Sequence, residues 1–281
     1  MAKNQRQSIL CPNCRKLISI SEKRCPHCGT AKPASFLKNN IWTRGFSNPY
    51  LLIKAVIAVN VGIYILSLLL FPSLSSFRPS LLSFLSPSPT SLELLGATGS
   101  EPVGIGHQYW TLISAGYLHG SIFHIFFNMM AFQQLATLVS REFGVYRMFI
   151  LYTVGGVVGF LVSWLAGVPW TIGASAGVCG LLGALLYYGK SRGGVYGRAL
   201  YKQLSVWVVV LFIFGFVVRG INNWGHGGGI LAGMLLGLIL GYQEKKKESV
   251  FHKSLAGVCA LVTVAVLGWA VFRSLIFRLV G

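Results

Sequence analysis

A serine stands among small residues in Gly173-Ala-Ser-Ala-Gly-Val-Cys-Gly180, near the start of a long apolar segment, Thr171 to Tyr188. A serine so placed is either part of a close-packing surface or a nucleophile. His226, in Asn223-Trp-Gly-His-Gly-Gly-Gly229, also opens an apolar segment. An imidazole beside a hydroxyl can take its proton and let the oxygen attack a carbonyl. The chain contains no aspartate, and its six acids are Glu22, Glu93, Glu101, Glu142, Glu244 and Glu248, none deep inside an apolar run. Serine chemistry here would therefore have to be a dyad, without a carboxylate behind the histidine.

A second polar group lies upstream, His119-Gly-Ser-Ile-Phe-His124-Ile-Phe-Phe-Asn128. His124 and Asn128 are spaced i and i+4, so they share a helical face. Polar side chains inside an apolar helix are expensive unless they have partners or a task. One reading is hydrogen-bonding glue between helices. The other is an oxyanion hole, since an imidazole N–H and an amide aimed at one oxygen stabilise a tetrahedral intermediate by roughly 3–4 kcal/mol per donor. Cys179 lies one turn beyond Ser175 with no basic partner in sequence, and Cys259 falls in the last apolar run. Both read as packing residues.

The elements that must position these groups are membrane helices. The chain has 281 residues, 54% hydrophobic and 11% charged. That charged fraction is too small to cover a soluble surface. Several apolar runs approach or exceed the ~20 residues that span a bilayer. Spans are expected at about Tyr50–Phe71, Leu112–Val139, Met148–Val168, Ile172–Tyr188, Leu204–Val218, Gly225–Tyr242 and Leu255–Leu275. Between the first two, residues 72–109 hold Pro72, Pro79, Pro87 and Pro89, which prevent one continuous helix. Leu81-Leu-Ser-Phe84 and Leu92-Glu-Leu-Leu95 make this an interfacial, partly embedded loop.

The net charge of +18 could suggest nucleic acid, but the basic residues sit in the hydrophilic tail and short loops, as topology determinants do. No nucleic-acid partner is expected; anionic lipid is the surface they face. The first apolar run comes too late for a cleavable signal peptide. The tail carries nine basic residues, Lys3, Arg6, Arg15, Lys16, Lys23, Arg24, Lys32, Lys38 and Arg44. With the tail cytoplasmic, Arg141 and Arg147, then Lys190, Arg192, Arg198 and Lys202, then Lys245, Lys246, Lys247 and Lys253 also fall inside. Only Arg78, Arg219, Arg273 and Arg278 fall outside, with the C-terminus. Spans two, four and six then run inward from the outer face, so His119, His124, Ser175 and His226 share the outer half of the membrane. Gly173, Gly177, Gly180 and Ala184 form one small-residue seam; Gly225, Gly229, Gly233, Gly237 and Gly241 form another. Such seams let helix backbones approach closely.

Within the tail, Cys11-Pro-Asn-Cys14 precedes Cys25-Pro-His-Cys28 by ten residues. Two C-x-x-C knuckles at this distance supply four thiolates, Cys11, Cys14, Cys25 and Cys28, to one structural zinc ion. The alternative is a pair of disulfides, which a reduced, cytoplasmic tail disfavours. His27 is expected to face solvent. The ribbon either recruits a cytosolic or membrane partner or caps the N-terminus.

Trp110, His119-x4-His124-x3-Asn128, Gly173-Ala-Ser175 and Gly225-His226-x-x-Gly229 together resemble the rhomboid family of intramembrane serine proteases. The resemblance covers roughly residues 50–242. It implies an all-α polytopic membrane protein with a rhomboid-like six-helix core, over 50–242. A zinc ribbon (1–32) and linker (33–49) precede it, and a basic loop with a seventh transmembrane helix (243–281) follows. It implies Ser175 as nucleophile, His226 as general base, and an oxyanion hole made by His124, Asn128 and the Ser175 N–H. His119, Gly173 and Gly229 are then structural residues near the site. The activity implied is hydrolysis of transmembrane helices near their outer ends, with no catalytic cofactor; the alternative is an inactive relative that binds client helices. The lack of an inverted repeat and of acids in the spans counts against a transporter. Four positions depart from the family pattern. Thr111 stands where Arg often follows the tryptophan, Ser140 replaces a glutamate with Glu142 two residues on, Ala176 replaces a glycine, and Cys179 replaces an aromatic that can stack on the histidine. The first two bear on anchoring of the outer loop and second span. The last two bear on the oxyanion backbone and imidazole support.

Overall fold

The computed structural model describes residues 8–11, 16–35, 49–72, 84–218 and 220–280. The chain divides into two units, Met1–Leu52 and Ile53–Gly281. In the first, strand β1 (Ser8–Leu10) pairs antiparallel with β2 (Leu17–Ser19), Leu10 opposite Leu17. The Cys11 N–H donates to Lys16 O at 2.9 Å, and the Cys25 N–H to Thr30 O at 2.9 Å. The second bond folds a turn back beside Cys25. The apolar core is Cys11, Ile18 and Cys25 with Ile9 against them. A core of this size does not hold a fold without a cross-link or a metal.

The second unit is helical. Helix α1 (Pro49–Leu70) is followed by the short α2 (Pro89–Leu94), a π-helical turn at Ser100–Ile105 and the single turn α3 (Thr111–Ser114). The long helices are then α4 (Ile122–Glu142), α5 (Val145–Leu165), α6 (Ser175–Arg192), α7 (Gly194–Val217), α8 (Asn223–Leu240) and α9 (Val250–Val280). Among the described residues, six helices are long and apolar enough to cross a membrane, α1, α4, α5, α7, α8 and α9. This is an integral membrane protein with an all-α, polytopic fold. Helix α6 is absent from those six because Lys190 and Arg192 close it and small residues dominate it. It is also the most enclosed helix, packed against α5, α7, α8 and α4. A helix surrounded by protein needs shape more than grease. Helix α7, by contrast, shows lipid a stripe of Val206, Val209, Val210, Ile213 and Phe214.

Two expected spans are corrected where the site lies. Leu112–Val139 is not one helix. α3 and a 3-10 turn, Ala115–Tyr117, give way to extended backbone at Leu118, and α4 starts only at Ile122, capped by Ser121 Oγ accepting from the His124 N–H at 3.2 Å. The apolar run continues through this break, so hydropathy does not mark it; the cap does. The fourth span begins at Ser175 rather than Ile172, because Gly173 holds φ +125°, outside helical space. The fifth begins earlier than expected, since Arg198 and Lys202 lie within α7 and not in a loop.

The small-residue seams meet as expected. A Cβ on Gly229 would strike the Ala176 carbonyl, and one on Gly233 the Gly180 carbonyl, so α8 and α6 touch backbone to backbone. A third seam, on α5, completes the junction: a Cβ on Gly155 would lie 2.9 Å from Gly180 Cα, and one on Gly159 2.6 Å from Gly225 O.

At the opposite end of the bundle, polar bonds tie loops to helix ends. Arg147 is fully buried, donating to Phe143 O at 2.9 Å and to Lys246 O at 2.8 Å. It serves as a carbonyl clamp, not as the exposed loop charge the sequence suggests. The Glu248 carboxylate accepts from the Tyr146 and Arg147 N–H groups at 2.8 and 2.9 Å, at the start of α5. Burial raises the Glu248 carboxyl from its ordinary value, against the pull of those N–H groups. Glu142 accepts from Tyr196 at 3.0 Å, joining α4 to α7.

Candidate active site

Ser175 is the first residue of α6, with Ala174 as its cap. The N–H groups of a first helical turn have no preceding carbonyl to bond and carry the positive end of the helix dipole. Three features hold this helix mouth. Gly173 N–H donates to Ala115 O at 2.9 Å. Thr171 and Thr98 exchange backbone bonds, 2.6 and 3.1 Å. Thr171 Oγ1 accepts from Asn222 Nδ2 at 3.0 Å.

Asn222 is a residue that reading from the motif outward passes over. Its Oδ1 caps α8 by accepting from Gly225 N–H at 2.9 Å, and its Nδ2 also donates to Ser163 Oγ of α5 at 2.7 Å. One amide thus fixes the mouths of α8 and α6 to each other and to α5. Its signal was available: an asparagine immediately before an apolar helix is a cap candidate.

His226 is the fourth residue of α8, 5% exposed. Its Nε2 lies 2.9 Å from Ser175 Oγ. For Oγ to donate its proton, Nε2 must be the bare nitrogen, which places the ring proton on Nδ1. Nδ1 has no hydrogen-bond partner among the described residues. Among the described residues no carboxylate stands behind this histidine, so the contact is of a hydroxyl and an imidazole alone. No ring pairs with His226 among the described residues either. Cys179, one turn along α6 from Ser175, is buried, its Cβ 3.1 Å from where a Gly229 Cβ would stand.

His124 faces the same point from α4. Its Nδ1 accepts the Gly120 N–H at 3.2 Å. A neutral imidazole with Nδ1 accepting carries its proton on Nε2. That nitrogen is directed at Gly173: a Cβ there would lie 2.7 Å from His124 Nε2 and 3.6 Å from Ser175 Oγ. The missing side chain leaves a small open cradle between a hydroxyl and an N–H donor. His119, in the break before α4, packs edge-on against His124 with ring centroids 5.1 Å apart. Asn128 lies one turn deeper, and its Nδ2 donates to His124 O at 2.9 Å. No hydrogen bond joins Asn128 to Ser175 among the described residues. Thr111, the first departure from the family pattern, is buried; its hydroxyl donates to Gln108 O at 2.7 Å and lies 3.0 Å from Thr98 Oγ1.

The N-terminal unit holds a separate cluster. The sulfurs of Cys11, Cys25 and Cys28 lie within 4.8 Å of one another and can hold a metal ion. Cys11 Sγ and Cys28 Sγ are 3.6 Å apart, near the roughly 3.8 Å edge of a tetrahedron with Zn–S bonds of about 2.3 Å. No disulfide joins the described cysteines. Cys14 lies outside the described residues. His27 is exposed and not part of the cluster.

Residues 106–243 match the Rhomboid domain. The chain is 31% identical over 181 residues to Rhomboid protease GluP of Bacillus subtilis (strain 168), covering 64% of this chain and 35% of that protein. It is 32% identical over 158 residues to RHOMBOID-like protein 4 of Arabidopsis thaliana, covering 56% of this chain and 40% of that one. It is also 26% identical over 152 residues to Inactive RHOMBOID-like protein 8 of the same plant, covering 53% and 43%. The chain thus spans well under two thirds of these relatives' own length. The matched stretch contains the Ser175–His226 contact, the cradle at Gly173 and the junction of α5, α6 and α8, and residues 106–243 of this chain are a Rhomboid domain.

Proposed function

We propose that this protein is an intramembrane serine endopeptidase that hydrolyses peptide bonds in or near transmembrane helices of other membrane proteins. The contact between Ser175 Oγ and His226 Nε2, 2.9 Å, carries the reading. Ser175 gives its proton to Nε2 as Oγ bonds to the scissile carbonyl carbon. The carbonyl π pair moves to oxygen, which enters the cradle at Gly173, within reach of the His124 Nε2–H, the Ser175 N–H and, after a small shift, the Asn128 amide. Collapse breaks the C–N bond, and His226 Nε2–H protonates the departing amine. Water then attacks the acyl-serine, giving its proton to Nε2, and the serine leaves with that proton. His119 and Gly229 hold His124 and α8 in place.

Peptide bonds in an intact helix are shielded by their own hydrogen bonds. The substrate must therefore unwind locally, favouring small or helix-breaking residues at the cleaved bond. Charge asymmetry of the loops supports a cytoplasmic tail and a site toward the outer leaflet. The domain limits proposed are a ribbon over 1–32, a linker over 33–49, the six-helix core over 50–242 and the seventh helix within 243–281.

A fluorophosphonate probe tests the reading without a known substrate. The wild-type protein in liposomes is expected to take one label, mapped by mass spectrometry to Ser175, and Ser175→Ala none. No label on the wild type would favour the alternative, a catalytically inactive scaffold that binds client helices. For that reading the inactive plant relative is the precedent.

The thiolate cluster is proposed to hold one structural zinc ion through Cys11, Cys25 and Cys28, with Cys14 as fourth ligand. Zinc would cross-link two turns whose apolar core is too small to stand alone. Elemental analysis of the purified full chain is expected to give about one zinc per chain, and Cys25→Ser to lose it. A full chain that retains zinc after Cys25→Ser contradicts the site.

A further inference from the structure

Arg273 lies in α9, beyond the residues that match the family. Two contacts engage its guanidinium. Nη1 is 3.1 Å from Gln108 Oε1, and Cζ stands 5.6 Å from the centre of the Trp110 ring. Both partners belong to the turn leading into α3.

From that turn, hydrogen bonds and α3 lead toward the mouth of α6. Gln108 O accepts from the Thr111 N–H at 3.0 Å, and Trp110 O accepts from the Ile113 and Ser114 N–H groups at 3.1 and 3.3 Å. α3 passes directly into the turn whose Ala115 O receives the Gly173 N–H. Gly173 is two residues before Ser175. A parallel route goes from Thr111 Oγ1 to Thr98 and, through the paired backbones, to Thr171. Both routes start at the turn Arg273 holds.

Packing holds this turn on one side only. Trp110 and Ser114 lie against Gly96, and Ala115 packs with Phe160 and Ala176. Beside Arg273 and Gln108 the flank opens into a pocket of about 380 Å³, also lined by Glu93, Glu101 and Trp170. A close-packed neighbour fixes a loop by many dispersion contacts; on the open side Arg273 supplies a polar clamp in their place.

We propose that Arg273 is a positioning residue for the hydrolysis, and that the seventh helix is part of the working enzyme rather than an appendage. Held over Trp110 and bonded to Gln108, Arg273 keeps residues 108–115 seated against the mouth of α6. Gly173 and Ser175 thereby stay in register with His124 and His226. Arg273 touches no reacting atom. The proposal rests on the protease reading, and its test separates the two.

The test uses the full-length protein in liposomes and a transmembrane substrate. Arg273→Ala is expected to lower kcat about tenfold with KM within about twofold, as a small displacement of the attacking group does. Arg273→Lys keeps the cation over the ring and is expected to recover part of the loss. Arg278→Ala is the control: five residues on, Arg278 donates to Leu69 O of α1, away from this turn, and should leave kcat unchanged. In a Ser175→Ala background, hydrogen exchange at the Thr111 and Gly173 amides should quicken when Arg273 becomes alanine. That readout needs no activity, so it stands even if no variant cleaves. Wild-type kcat and unchanged exchange in Arg273→Ala would overturn the proposal. So would equal losses in Arg273→Ala, Arg273→Lys and Arg278→Ala, which indicate general weakening of α9.

Discussion

Replacing His226 with alanine is expected to lower kcat for a transmembrane substrate by about 10⁴-fold, roughly 5.5 kcal/mol of transition-state stabilisation, with KM little changed. The serine hydroxyl is a weak nucleophile, and Nε2 at 2.9 Å is its base. Among the described residues no acid stands behind Nδ1, so the imidazolium formed in the transition state is stabilised less than in a triad. The wild-type rate starts lower, and the loss on removing the histidine is smaller than the ~10⁶-fold known for a full triad. The two members act as one unit, so Ser175→Ala/His226→Ala should cost no more than either change alone. Steady-state cleavage in liposomes checks this, with thermal unfolding to show that the buried site tolerates the truncation. Cleavage by His226→Ala within about tenfold of wild type would mean another group takes the proton.

That pairing was legible in the sequence because two independent patterns point to it. Loop charges put the starts of spans four and six on one face, and the four-residue glycine repeat of α8 matches the small residues of α6. Glycine at Gly229 and Gly233 is forced by carbonyls of α6 that a Cβ would strike; a period so strict has few other causes. The break at Leu118–Ser121 was not legible from hydropathy, because leucine and isoleucine flank it and only the Ser121 cap marks it. Helix α6 is less apolar than its neighbours, as protein and not lipid surrounds it. The loop charges misplaced the start of α7, where Arg198 and Lys202 lie within the helix, and the role of Arg147, whose buried guanidinium donates to Phe143 O one turn back and to Lys246 O far along the chain. Such long-range partners leave no local periodicity. Asn222 is the intermediate case: its capping role is local, but its bonds to Ser163 and Thr171 are tertiary.

The cradle at Gly173 yields the second large effect, Gly173→Ala, expected to lower kcat by about a thousandfold. Two costs combine. At φ +125° an L side chain is strained by about 1–3 kcal/mol, and the methyl would sit 2.7 Å from His124 Nε2 and 3.6 Å from Ser175 Oγ. It would fill the space the oxyanion needs and push aside the donor meant to receive it. His124→Ala removes that donor but leaves the space, so it should cost less, about a hundredfold, in line with loss of one oxyanion donor. The two changes should be less than additive. Without the imidazole the methyl has no ring to displace, so only strain and the filled cradle remain. A double-mutant cycle on kcat, with unfolding midpoints measured alongside, reads the coupling directly. If Gly173→Ala cleaves at the wild-type rate, the developing negative charge is not held between Ser175 and His124. Strict additivity, in turn, would place His124 outside the space that the Gly173 methyl occupies.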